Sequence, residues 1–400
     1  MRTVYILLIG LLLYSCNKNI DLPESNDWPS TIDYFSSTLE SNHKNLFFQL
    51  PRDEFYAMTD TLKQQCDTLS DVDIILGLSG ILAKVGDAHT CISLRCNCIS
   101  ILPFQFLPLS DGYFCINAPL NYNQLVGEVL ESIDGMPMET VEAKLSEIIP
   151  HENESKLQQS VRSYIISPEI LYSLKIISNN QQITYQTKSG LSVSVKCNKV
   201  YGPATHFFVG KELPYYLKDT ETKYWFIGDT NKKLVYVQYN SCSETSNYTF
   251  REFNSDVFDE IERIGADKLV IDLRWNGGGN STIFNPMLRS IKNNDLINRN
   301  KHLYVVIGKA TFSSALLNAL SLKDGTNAIL IGEPTGGKPN HYGEVKTFQL
   351  NKLGVVVQYS TRYFKNVKGD PPSLEPDITI ETSSNDMISL TDPVLEYIFK

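Results

Sequence analysis

Three stretches in the second half of the chain carry residues whose types could do chemistry, and each sits just past an apolar run. "VIDLRWNGGGNST" (270–282) ends a strand-like run in an arginine and three consecutive glycines. Glycine has no Cβ and readily reaches positive φ, so such a run lets backbone N–H groups face a guest at close range. A nucleotide phosphate fits that description, and so does the charged oxygen of an acyl-transfer intermediate. "GKATFSSAL" (308–316) turns sharply from strand to helix with Ser313 and Ser314 at the junction. A serine there serves either as a helix N-cap or as an exposed nucleophile. "GEPTGGKPNHYGE" (332–344) follows the next apolar run, and its Lys338 is either a solvated turn residue or a base. Lysine accepts a serine proton only when neutral, which requires desolvation to bring its pKa from about 10.4 toward roughly 7 to 8.

The elements that must position these loops alternate between strand and helix from residue 225 onward. Their apolar runs, such as "KLVYVQYN", "DKLVIDLRW" and "HLYVVIGKA", are continuous, which predicts a mostly parallel sheet covered by helices on both faces. Residues 28 to 86 place apolar side chains at three- and four-residue intervals and read as three helices, the last opened by Ser70 and Asp73 and ending at "GDAHT" with His89. Residues 99 to 200 read as a mostly β module with one helix. Within it, "GEVLESIDGMPMETVEAKL" gives a strand, a turn at Asp134 and Gly135, and a helix from Met138. That order resembles the core of a PDZ-type domain, which captures peptide ends by strand addition.

A formal charge of −9 without an extended basic stripe argues against a nucleic-acid partner. At the N-terminus, "MRTVYILLIGLLLYSC" has one early arginine and an apolar run too short to span a bilayer, and it reads as an export signal. Its "LYSC" resembles a lipobox, so Cys16 is expected to be lipidated and to tether the chain to a membrane. The other cysteines, Cys66, Cys91, Cys96, Cys98, Cys115, Cys197 and Cys242, are odd in number, so not all can pair within the chain. "CISLRCNC" (91–98) lacks a second Cys/His pair at zinc spacing, which leaves a disulfide or buried thiols as its reading and no metal site.

Taken together, "VIDLRWNGGG", "TFSSA" opening a helix and "GEPTGGK" after the next strand resemble the S41 peptidases, the tail-specific or C-terminal processing serine proteases with their tricorn-core and interphotoreceptor retinoid-binding relatives. The helical unit ending in "GDAHT" and the PDZ-like insert occur in the same order in that family. The resemblance implies an α/β fold: a crotonase/ClpP-like peptidase core over 220–400, preceded by a signal segment (1–16), an N-terminal helical domain (27–95) and a PDZ-like α+β insert (99–200). In the processing proteases the lysine base lies 25 residues after the nucleophile, which selects Ser313 and Lys338 here. By the same resemblance Gly278 or Gly279, with the amide of Ser314, forms the oxyanion hole, while Asp272 and Arg274 hold the loop.

This sequence departs from the family where a glutamine usually follows the lysine by four residues, because Tyr342 stands there. His89 falls where the tricorn branch supplies a histidine base, so a Ser313/His89 relay competes with Ser313/Lys338, of which Lys338 is the preferred base, and His341 is a third, remoter candidate. The expected activity is that of an exported serine endopeptidase acting on polypeptides, with C-terminal tails as one candidate target, and without metal or cofactor. Two other readings share the fold: a non-catalytic ligand- or peptide-binding lipoprotein, and a crotonase-like acyl-CoA enzyme, against which export speaks.

Overall fold

A computed structural model describes residues 27–94, 96–197, 201–350 and 353–400. Cys16, read above as a lipidation site, lies outside these residues. The chain divides into two compact units. One takes the described residues as far as Val209 together with Asn340–Asn366, and the other takes Gly210–Pro339 with Val367–Lys400.

The first unit opens with α1 (Trp28–Asn42), α2 (Arg52–Gln65) and α3 (Asp71–Val85). Ser70 and Asp73 form a reciprocal capping box at the head of α3, and Gly86, at φ 77°, stops it in the left-handed conformation. Ile32, Phe35 and Leu39 of α1 pack with Phe55 and Leu62 of α2 and with Ile74, Leu78 and Leu82 of α3. The short strand β1 (Cys91–Ile92) follows the turn that carries His89.

Next in the same unit comes the β module. Strands β2 (Gln105–Leu109) and β3 (Gly112–Pro119) form an antiparallel sheet, and β4 (Leu130–Ile133) and β5 (Met136–Pro137) pair across a tight turn at Asp134 and Gly135. Both turn residues have positive φ, 49° and 79°, as a two-residue hairpin of the twisted kind requires. Helix α4 (Met138–Ser146) begins where the sequence suggests, but α5 (Glu154–Tyr164) and α6 (Pro168–Ser173) follow, so the module has three α-helices rather than one. The apolar stripe of α5, Leu157, Val161 and Tyr164, has helical spacing but is narrow and set in a polar stretch, so a strand-like reading of the module passes over it. Asn153 caps it by accepting from Lys156 N at 2.8 Å, and burial of that narrow stripe in the module core fixes it. Strands β6 (Gln182–Thr187), β7 (Ser192–Lys196) and β8 (Ala204–His206) complete two sheets, ordered β2-β3-β8 and β5-β4-β6-β7.

The second unit holds α7 (Tyr215–Lys218), β9 (Tyr224–Asp229), β10 (Leu234–Tyr239), α8 (Phe250–Ile264), β11 (Lys268–Asp272), α9 (Asn285–Lys292), β12 (Leu303–Ile307), α10 (Ser314–Gly325) and β13 (Ile329–Gly332). The chain then supplies the hairpin β14 (His341–Gln349) and β15 (Val356–Phe364), which belongs to the first unit and pairs there in the order β1-β15-β14. It ends in the second unit with β16 (Ile378–Thr379), α11 (Ser384–Ser389) and α12 (Pro393–Ile398).

The second unit's sheet runs β16-β13-β12-β11-β10-β9, parallel except for the antiparallel edge strand β9. Alternate residues of each strand feed two different cores. Val235, Leu269, Ile271 and Val305 pack with Phe253 and Val257 of α8, Met287 of α9 and Leu316 of α10 on one face. Leu234, Val270, Val306 and Ile331 pack with Val394, Leu395 and Ile398 of α12 on the other. Covering on both faces explains the unbroken apolar runs in the sequence. Because β11, β12 and β13 are parallel neighbours, the three loops that leave their carboxyl ends lie along one edge, the usual place for a site in such a sheet.

Candidate active site

Ser313 stands immediately before α10 with φ 53° and ψ −124°, in a region that L-residues seldom occupy. Its hydroxyl does not cap the helix, so the N-cap reading of this serine fails. The neighbouring Ser314 acts as a tie, since its hydroxyl donates to the carbonyl of Gly279 at 2.6 Å and joins the glycine loop to the head of α10. Gly278 lies so close that a Cβ there would meet Ser313 Cβ at 2.8 Å and Ser314 N at 3.0 Å, at a φ of 108°. Only glycine suits that place.

The backbone donors near Ser313 are not equivalent. Gly278 N–H donates to Asn276 Oδ1 at 2.9 Å. Among the described residues neither Gly279 N–H nor Ser314 N–H meets an acceptor. Asn276 is fully buried and also donates from Nδ2 to the carbonyl of Tyr239, so it shapes the glycine loop from beneath. Phe312 N donates to the carbonyl of Asn276 at 3.1 Å, joining the loops after β11 and β12.

The third loop is fastened to the second. Gly337 N donates to the carbonyl of Thr311 at 3.0 Å, and a Cβ on Gly337 would lie 3.3 Å from both Phe312 Cα and Ser313 N. Thr335 accepts from Leu374 N and donates to the carbonyl of Gly337, holding the turn before Lys338. Lys338 Nζ itself forms an ion pair with Asp370 Oδ2 at 2.7 Å. The sequence does not single out Thr311, Thr335 or Asn276, since threonine and asparagine in loops are too common to signal a role.

Behind the glycine loop, Arg274 is buried between two carboxylates and lies over the ring of Tyr216. Its Nε meets Asp272 Oδ2 at 2.8 Å, and its Nη2 meets Asp392 Oδ2 at 3.1 Å. Burial works against the guanidinium charge, but the two carboxylates hold its pKa above the ordinary value. Burial pushes Asp272 up, opposed by Arg274 and by the Tyr236 hydroxyl that donates to it at 2.6 Å. The expectation that Asp272 and Arg274 hold the loop thus has a geometric basis, and Asp392 joins them from the far end of the sequence.

The first unit contains a separate cluster around His89. Asp87 accepts from His43 Nε2 (3.0 Å), Thr90 Oγ1 (2.5 Å) and His89 N (2.9 Å). Asn45 N donates to His43 Nδ1, which leaves the His43 proton on Nε2, facing Asp87. Burial tends to raise the pKa of Asp87, but its donors and nearby His89 outweigh that and hold it below the usual carboxylate range. His89 Nδ1 is 4.0 Å from Asp87 Oδ1, and its ring stacks on His341, which stacks in turn on Phe364. Burial pushes the His89 imidazole well below its ordinary value of 6.5, so it is neutral at pH 7. Gln358 Nε2 donates to the carbonyl of His89 and Ser360 N to Thr90 Oγ1, so β15 fixes the turn. Tyr342, in place of the family glutamine, packs against His43 and Phe48 and accepts from Asn45 Nδ2.

Residues 233–380, which include Ser313, Lys338 and the glycine loop, match Peptidase family S41. The chain carries an S41 peptidase domain. That domain marks the chain as a serine-type peptidase, an enzyme that acts on polypeptides. Mature CPAF, solved in complex with lactacystin, aligns with 92% of this chain and 96% of its own at a TM-score of 0.63 and 14% identity. A second structure of mature CPAF aligns over 92% and 95% at a TM-score of 0.62 and 13% identity. At such identities the likeness concerns the mixed α/β fold, and it extends over nearly the whole chain. The photosystem II D1 C-terminal processing protease aligns over 88% and 92% at 13% identity, with a TM-score of 0.43 that carries no further argument. No curated protein sequence matches the chain.

Within the S41 domain, the structure brings Ser313, Ser314, Gly278 and Gly279 together and attaches the loop of Lys338 to them through Gly337. His89 and His341 belong to the first unit, stacked on each other. Among the described residues no group of three or more His, Cys, Asp or Glu side chains gathers where it could hold a metal ion. No helix among them is long and apolar enough to cross a membrane.

Proposed function

We propose that Ser313 is the nucleophile of an exported, lipid-anchored endopeptidase that cleaves polypeptides through an acyl-enzyme. The observation that carries this is the backbone of Ser313: a strained φ of 53° at a strand-to-helix turn, with a hydroxyl that caps nothing, beside two N–H groups that lack acceptors among the described residues. In this reading the Ser313 oxygen attacks the scissile carbonyl, and Gly279 N–H with Ser314 N–H receives the oxyanion at the head of α10. Gly278 contributes its small size, since its own N–H is engaged by Asn276. Collapse of the intermediate returns the proton to the leaving amine, and water then releases the acyl group.

Lys338 takes the Ser313 proton in this proposal. The supporting observation is its place in the same unit as Ser313: the adjoining Gly337 donates to the carbonyl of Thr311 and lies against Ser313 N. Lys338 also has the family spacing in its favour, and its ion pair with Asp370 has to open before its amine can turn to Ser313. The crotonase/ClpP-like description of the core, and a PDZ-like module that presents a substrate's C-terminal tail, belong to the same proposal. Support for the latter is the strand, turn and helix of β4, β5 and α4.

The test is hydrolysis of an unfolded protein by a soluble form beginning after Cys16, followed by mass spectrometry, beside Ser313→Ala, His89→Ala and Lys338→Ala. Loss of cleavage with Ser313→Ala and Lys338→Ala is expected. Unchanged cleavage by Ser313→Ala would falsify the nucleophile assignment, whereas survival with Lys338→Ala and loss with His89→Ala would transfer the base to His89. Membrane anchoring is checked in the full chain, where Cys16→Ser should move the protein from the membrane pellet to the soluble fraction.

A further inference from the structure

The Cys96 and Cys98 sulfurs lie 2.6 Å apart, across the single exposed residue Asn97. The turn is held from both sides: Cys96 N donates to the carbonyl of Leu94, Asn97 N to that of Leu353, and Ile99 N to that of Cys96. Both thiols are half-buried, so a small molecule can reach them, and both pack against the helical core and the β-module core of the first unit. All seven cysteines from Cys66 onward are free thiols in this structure. No third metal-ligating side chain joins the pair among the described residues, so zinc-type coordination lacks its donors. What two facing thiols can still do is exchange with a disulfide.

We propose that Cys96 and Cys98 form a redox-active dithiol, closed to an intrachain disulfide by exchange with the disulfide of a small thiol such as glutathione. The Cys96 thiolate attacks one sulfur of the oxidant R–S–S–R, giving the mixed disulfide Cys96–S–S–R and one thiolate R–S⁻, which takes up a proton. Cys98 then loses its proton and attacks the Cys96 sulfur, releasing the second R–S⁻, which is protonated in turn. Two thiols of the protein are oxidised, one disulfide is reduced, and the two thiol protons end on two molecules of R–SH. Cys96 leads because burial, together with the hydrogen bond shared with Cys96, pushes the Cys98 thiol up to about 12, where little thiolate is available to begin the attack. The bond closes the loop that directly follows β1 and the turn carrying His89, a place where a covalent tie restrains the join between the two cores.

The full chain, equilibrated in buffers of rising oxidised-to-reduced glutathione ratio, is trapped with a maleimide, digested and mapped by mass spectrometry. The expected result is a peptide containing Cys96 and Cys98, lighter by two hydrogens and unalkylated at both, whose fraction rises with the glutathione disulfide ratio and returns to zero with reductant. In Cys96→Ser, Cys98 should instead stay alkylated throughout the series. The proposal is overturned if both cysteines of the wild type remain alkylated at every ratio, or if either bridges to a different cysteine. Because the wild type alone decides between these outcomes and no cleavage is measured, the result is independent of the peptidase mechanism.

Discussion

At the scale of single residues, the serine and its glycine are coupled by shape. Ser313 keeps a backbone conformation that costs on the order of 1–3 kcal/mol, and Gly278 leaves room for it. Gly278→Ala should push Ser313 Cβ away and disturb the neighbouring donors, lowering kcat/KM by about 100-fold or more, the scale of losing an oxyanion contact. Peptide hydrolysis measured beside a urea unfolding curve checks this, because activity should fall further than stability. The pH profile addresses the base. His89 is neutral well below pH 6.5, so hydrolysis that depends on it should be level from neutral pH down to about pH 6 and decline only in acid. A lysine acts only after losing its proton, so a rate that climbs steadily through the alkaline range would assign the base to Lys338.

At the scale of elements, the turn between α3 and β1 concentrates buried ionisable groups. His89 faces Asp87, His341 and Lys156, and burial dominates its shift. Below pH 6.5 an unfolded chain binds a proton at this histidine that the folded chain refuses, so stability must fall as pH drops through that window. Asp87, held below its ordinary 3.8, acts in the same sense at lower pH: its contribution is complete above that value and is lost as pH falls through the folded pKa. The urea midpoint should therefore decrease between about pH 7 and pH 5, and His89→Asn should flatten that decrease. An equal slope in wild type and variant would mean that His89 does not set it.

For the molecule as a whole, the second unit is assembled from two separated pieces of chain, and Arg274 links them. It leaves the end of β11 and meets Asp392, the residue that caps α12 through Val394 N and Leu395 N. Asp392→Ala removes one of two carboxylates from a buried guanidinium, a change that typically costs about 3–5 kcal/mol. Chemical unfolding should show that loss, with reduced peptide cleavage because the glycine loop begins at Arg274. Asp392→Ala with unaltered stability would mean that Asp272 alone satisfies the charge.

Local chemistry and periodicity made the second unit's alternating strands and helices, the capping box of α3, the turn at Asp134 and Gly135, and the glycine run legible in the amino-acid order. The order also set Ser313 and Ser314 at a strand-to-helix turn, and the family spacing to Lys338 chose Ser313 between them. Helices α5 and α6 were not legible, since burial of a narrow stripe, not propensity, stabilises them. Nor could sequence tell that Gly278 N–H is taken by Asn276, that Ser314 holds Gly279, or that Lys338 pairs with Asp370. The first of these bends one loop back on itself and the other two join residues 35 and 32 positions apart, so the register of the parallel sheet and the packing of its ends decide which groups meet.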